Sequence, residues 1–150
     1  MGVRRIVPGL VAVAAALTVA GCGGGGDGTS TVSDPAGPLV VYQRSGGIAG
    51  VDEKLEVERD GSVSVSTGGV EPAHASFRLS DAELGELSAE LDAADFGAVT
   101  ASGPSSCADC FVESVAAGGR TTTIVAEIDE PPESVATALA HLRELVQRGA

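Results

Sequence analysis

The chain has 150 residues, a formal charge of −12 and neither Trp nor Asn; its aromatic residues are Tyr42, Phe77, Phe96 and Phe111. That length suits one domain with a modest core built from Leu, Val, Ile and Ala. The acidity excludes nucleic acid, which demands a basic face, and disfavours adsorption to anionic lipid by charge alone.

Residues 1–7 carry Arg4 and Arg5 and no acid, residues 10–20 read LVAVAAALTVA, and Gly21 and Cys22 follow. A basic start, a short apolar run and a small-residue boundary predict a secretory signal over residues 1–21. Even counted from Ile6 to Gly21 the stretch is 16 residues and contains Pro8. A membrane span needs about 18–20 apolar residues. The boundary VAGC resembles the lipobox of bacterial lipoproteins. That resemblance implies a diacylated Cys22 as the mature N-terminus, held by its lipid on the outer face of the bacterial cytoplasmic membrane. The alternative is a plain secretory signal with an incidental cysteine.

Cleavage before Cys22 removes Arg4 and Arg5 and leaves seven basic against 21 acidic side chains, a formal −14. Residues 23–38 (GGGGDGTSTVSDPAGP) have almost nothing to bury, so 22–38 is expected to be a flexible tether. Its root-mean-square reach is roughly 20–24 Å. The folded domain is then 39–150.

Residues 39–44 (LVVYQR) read as a strand. Residues 54–67 (KLEVERDGSVSVST) read as a hairpin whose register follows from its apolar positions. A three-residue loop, Arg59-Asp60-Gly61, pairs Val57 with Val63 and Leu55 with Val65, placing all four on one face. Residues 74–79 are a further short strand. Ser80 and Glu83 then have capping-box spacing, and Leu84, Leu87 and Leu91 recur at helical intervals, predicting a helix over 81–94.

A second hairpin is expected at 111–117 and 120–128, turning at Gly118-Gly119. It aligns Val115 with Thr122 and places Ile124 and Ile128 on one face, with Glu113 opposite Ile124. A lone acid there is either a tuned carboxylate or, the favoured reading, a sign of a sheet edge or a slipped register. Pro131-Pro132 opens a closing helix with Val135, Leu139, Leu142 and Val146 inward and Gly149 beyond its end. The expected fold is α+β: a mainly antiparallel sheet of about five strands with two helices on one face, in the order β-β-β-(β)-α-β-β-α.

Signals for catalysis are sparse. Cys107 and Cys110 form a C-x-x-C that runs into a strand pattern rather than a helix N-terminus, so the usual source of thiolate activation is missing. With Cys22 acylated, the pair reads as a structural disulfide; thiol-disulfide exchange, metal binding and free thiols are the other readings. His74 and His141 lack a His partner at ligand spacing, and no cofactor, metal site or catalytic residue is assigned.

Residues 44–51 (RSGGIAGV) place three glycines between two strands. They are either a connection requiring positive φ or close approach, or a displayed site. The stretch YQRSGGIAGV, the later LSDAELGEL helix ending in AADF, and the terminal helix after a Pro pair resemble the emfourin family, over residues 39–147. The resemblance implies a small α+β protein that inhibits a thermolysin-like metallopeptidase, with Gly46, Gly47, Ile48, Ala49 and Gly50 as the matching motif. It also implies an aromatic near Phe111 at the start of the penultimate strand. The expected function is a membrane-tethered, extracytoplasmic, non-catalytic protein-binding module. Its partner is an extracellular metallopeptidase or another envelope protein, not nucleic acid. The alternatives are a thiol-disulfide or metal-handling lipoprotein and a purely structural envelope component.

Overall fold

The computed structural model describes residues 37–68, 72–100 and 107–150. Cys22, the expected signal and the tether up to residue 36 lie outside the described residues. One six-stranded antiparallel sheet holds β1 (Val40–Gly46), β2 (Val51–Val57), β3 (Ser62–Gly68), β4 (Ala73–Arg78), β5 (Phe111–Ala117) and β6 (Arg120–Val125), in the spatial order β4-β3-β2-β1-β5-β6. Two helices, α1 (Asp81–Ala93) and α2 (Glu133–Gly149), pack on each other and on one face of it. The α+β expectation holds, with one strand more than expected because the short β4 pairs fully with β3.

Alternation along the strands explains the layering. Val40 and Tyr42 of β1, Leu55 and Val57 of β2, Val63 and Val65 of β3, and Val115 of β5 all point to the helices and are buried. The opposite face carries Gln43, Ser64, Ser76 and Thr121 and is open. Both hairpin registers are as the apolar pattern requires: Leu55 pairs with Val65, Val57 with Val63, and Val115 with Thr122. Ser80 caps α1, accepting from the Glu83 amide, while the Glu83 carboxylate accepts from the Ser80 amide at 2.7 Å. On α2, Val135, Leu139, Leu142 and Val146 face the core.

Three expectations are corrected. Strand β6 stops at Val125, because Asp129 turns the chain back. Its Oδ2 accepts from the Val125 amide at 2.7 Å, while the Ile128 and Asp129 amides both donate to the Val125 carbonyl. Ile128 therefore leaves the buried face of Ile124 and is 43% exposed. Gly149 is the last residue of α2, not a residue beyond it, and a Cβ there would lie 2.7 Å from Val65 Cγ2. Glu113 lies on neither an edge nor a slipped strand, since β5 sits between β1 and β6 in the expected register.

Candidate functional site

Strand β1 runs from the point where the described chain begins to the glycine loop, so Leu39 and Ile48 stand at opposite ends of the sheet. Its seven residues span roughly 20 Å. At the Ile48 end, Gly46 pairs with Val51 on one side and Phe111 on the other, and the chain reverses through Gly47, Ile48, Ala49 and Gly50. The Gly50 amide closes the turn on the Gly47 carbonyl at 3.0 Å.

The glycines divide their work. Gly46 has φ +113°, and a Cβ there would fall 2.3 Å from the Cys110 carbonyl oxygen, so both backbone conformation and close approach demand glycine. A Cβ on Gly47 would meet the Phe111 ring at 2.7 Å. The loop is thus seated on β5, and its tip is left on show: Ile48 is 92% exposed.

Beneath the loop lies a run of aromatic and charged contacts. The Arg44 guanidinium stacks 3.7 Å from the centre of the Phe111 ring. Its Nη1 is 3.5 Å from Glu53 Oε2 and its Nε 3.5 Å from Glu113 Oε1. Glu113 is completely buried. Its Oε1 accepts from the Tyr42 hydroxyl at 2.8 Å and from Arg143 Nε at 2.7 Å, and its Oε2 accepts from Arg143 Nη2. Burial, reinforced by the charge and hydrogen bond of Glu113, raises the Tyr42 phenol far above its usual range and keeps it a donor. The hydrogen bond to Glu113 likewise raises Arg143, keeping it cationic.

Glu113 is therefore a clamp rather than a reactive acid, because none of its surface is open to a substrate. It ties α2 to β5 and β1 immediately below the glycine loop. The sequence showed the acid on an apolar face but not its partners. The signal was available in part: Tyr42 and Arg44 share the same strand face as Glu113, two residues apart. Arg143 sits on α2, too distant in sequence to be assigned to it.

Cys107 and Cys110 form a disulfide with Cα atoms 5.5 Å apart. Cys110 is buried, and it leads directly into Phe111 rather than into a helix. The bridge thus steadies the start of β5, whose first residue supports Gly47. The Phe111 amide is held from the other side, donating to Glu127 Oε2 at 3.0 Å.

Three segments meet at this end: the glycine loop, the disulfide turn and the turn after β6. Ile48 and Ile128, the exposed large hydrophobic residues among those described, are both here. Around them Asp52, Asp109, Glu127 and Glu130 are exposed. The arrangement offers an apolar projection in an acidic surround on a stiff base, suited to entering a recess in another protein. No family model matches the chain, and no curated protein matches its sequence.

Proposed function

We propose that this protein is a lipid-anchored, extracytoplasmic, non-catalytic binding module that inserts Ile48 into a protein partner. In its specific form it restrains a thermolysin-like metallopeptidase in the manner of the emfourins. The observation that carries the proposal is the pairing of a 92% exposed isoleucine with a base fixed by Phe111, Arg44 and Glu113. An exposed apolar side chain gains most from burial when the loop presenting it is already ordered, because little entropy is then lost on binding.

The polarity of the fold supports the same reading. The tether enters the domain at the Leu39 end, and Ile48 stands at the opposite end of the sheet, so the point of attachment leaves the Ile48 loop unobstructed. The acidic surround favours a partner whose recess has a basic rim, giving association that weakens as salt rises.

The chain is titrated against thermolysin-like peptidases with a peptide substrate. Slowing at micromolar concentration is expected, with Ile48→Asp weakening it about 100-fold, as for a central interface residue. No slowing with any such peptidase would remove the inhibitory part. Equal retention of envelope partners by wild type and Ile48→Asp would reduce the loop to architecture. Mass spectrometry of the N-terminus, with Cys22→Ser as control, tests the anchor.

A further inference from the structure

Removing Arg4 and Arg5 from the nine basic residues leaves seven, all among the described residues. Five of them, Arg44, Lys54, Arg78, Arg143 and Arg148, have a carboxylate within 4 Å. Arg59 and Arg120 have none among the described residues. Acids outnumber bases 21 to nine in this chain, so an arginine with no carboxylate within 4 Å is the exception. Both exceptions stand at the Leu39 end, and both line the same cleft.

That cleft, of about 350 Å³, opens between Gly37 and the β5–β6 turn, walled by Arg59, Arg120, Gly118, Gly119 and Thr121, and none of its lining residues is acidic. Gly118 and Gly119 have φ +57° and +77°, and among the described residues nothing lies within 4 Å of where their Cβ atoms would be. Arg59 donates from Nε to the Gly37 carbonyl at 3.2 Å, and its terminal nitrogens make no hydrogen bond among the described residues. Arg120 makes no side-chain hydrogen bond or ion pair among the described residues. A second cleft, of about 340 Å³, shares both arginines but also contains Asp92 and Asp95, which repel an anion. Its apolar wall of Leu39, Leu91 and Phe96 would accommodate hydrocarbon.

We propose that the acid-free cleft binds a phosphoryl group between the Arg59 and Arg120 guanidinium groups. Planar guanidinium forks match the oxygens of a phosphoryl group, a tetrahedral anion can engage two forks from different directions, and the Thr121 hydroxyl supplies a further donor. The phosphoryl group belongs either to a phospholipid headgroup or to a free phosphate. The proposal stands whether or not Ile48 enters a peptidase.

The test uses the full chain in dodecyl maltoside micelles, whose headgroups carry no phosphoryl group, followed by amide NMR. Inorganic phosphate is added with ionic strength held constant by chloride. Saturable shifts are expected at Gly118, Gly119 and Thr121. Arg59→Gln and Arg120→Gln should each weaken binding about tenfold, the size of one charge-assisted hydrogen bond. The double variant should abolish it, with the Leu87 and Leu142 amides unmoved as evidence of an intact core. Phosphatidylglycerol is then mixed into the micelles without inorganic phosphate. Shifts of the same amides assign the headgroup as ligand, whereas a response to phosphate alone assigns the free anion. Absence of a saturable shift with either probe, or an undiminished shift in the double variant, overturns the proposal.

Discussion

The two ends of this sheet handle charge in opposite ways. Near Ile48 the arginines are drawn inward: Arg143 grips the buried Glu113, and Arg44 lies between Glu53, Glu113 and the Phe111 ring. What remains outside is apolar and acidic. Near Leu39 two of the acids are held in local pairs, Asp60 with Arg78 and Glu83 with Arg148, and among the described residues Arg59 and Arg120 have no carboxylate within 4 Å. A net charge of −12 therefore describes neither end. Where a cation is placed, not how many there are, decides which partner each end can meet.

The Ile48 end is most vulnerable at Glu113. Replacing Glu113 with Ala leaves two guanidinium groups and the Tyr42 hydroxyl around an empty buried site, and should lower stability by about 2–4 kcal/mol in denaturant unfolding. The loss should be strongly non-additive with that of Arg143→Ala, because both substitutions break one contact. A drop no larger than that of an ordinary surface change would mean the clamp does not stiffen this end.

The glycine loop comes next in expected effect. Gly46→Ala combines a forbidden φ with a clash against backbone and should destabilise by about 2–3 kcal/mol. At Gly50, φ is +65° and a Cβ would meet nothing within 4 Å, so Ala there should cost only about 1 kcal/mol. Equal costs at the two positions would show that Gly46 is not pressed against Cys110.

Acid should act on the Leu39 end through its exposed carboxylates. The Ser80 amide and hydroxyl, helped by Arg148, lower Glu83 from 4.5 to about 2. The Ser62 amide and hydroxyl, with Arg78, lower Asp60 from 3.8 to about 2. A carboxyl with a depressed folded-state pKa stabilises above its ordinary value and loses that support as pH falls through the depressed one. The α1 capping box should accordingly weaken from about pH 4.5 and be lost near pH 2. Ser80→Ala should cost about 1 kcal/mol at neutral pH and flatten that acid dependence, read by the helical circular dichroism of thermal unfolding.

The smallest effect on stability should come from the residue proposed to matter most for binding. Ile48→Asp should change unfolding by no more than about 0.5 kcal/mol, since its side chain touches little in the free protein. A larger loss would mean Ile48 supports the fold and is not simply displayed.

Much of the fold was legible because it rests on local periodicity. The Val57–Val63 and Leu55–Val65 pairs follow from a period of two plus one glycine turn, and α1 follows from its capping box and leucine spacing. Residues close in sequence constrain one another through the backbone, so their pattern alone suffices. Strand β6 ends three residues before its sequence pattern does, because its end depends on Asp129 reaching back to Val125, a side-chain event inside a continuous strand pattern.

The candidate site was legible only at its tip. The glycines, Ile48 and the paired cysteines stand out in the chain, but nothing local says that Gly46 abuts Cys110 or that Gly47 lies on Phe111. Those contacts join residues more than sixty positions apart. Arg143 meeting Glu113, and Arg59 sharing a cleft with Arg120, likewise arise only after the helices and strands have packed. Pattern along the chain settles which elements form and which faces they bury. The distance between charges is set by the packing of those elements, and that distance makes Glu113 a clamp and leaves Arg59 and Arg120 with no carboxylate within 4 Å among the described residues.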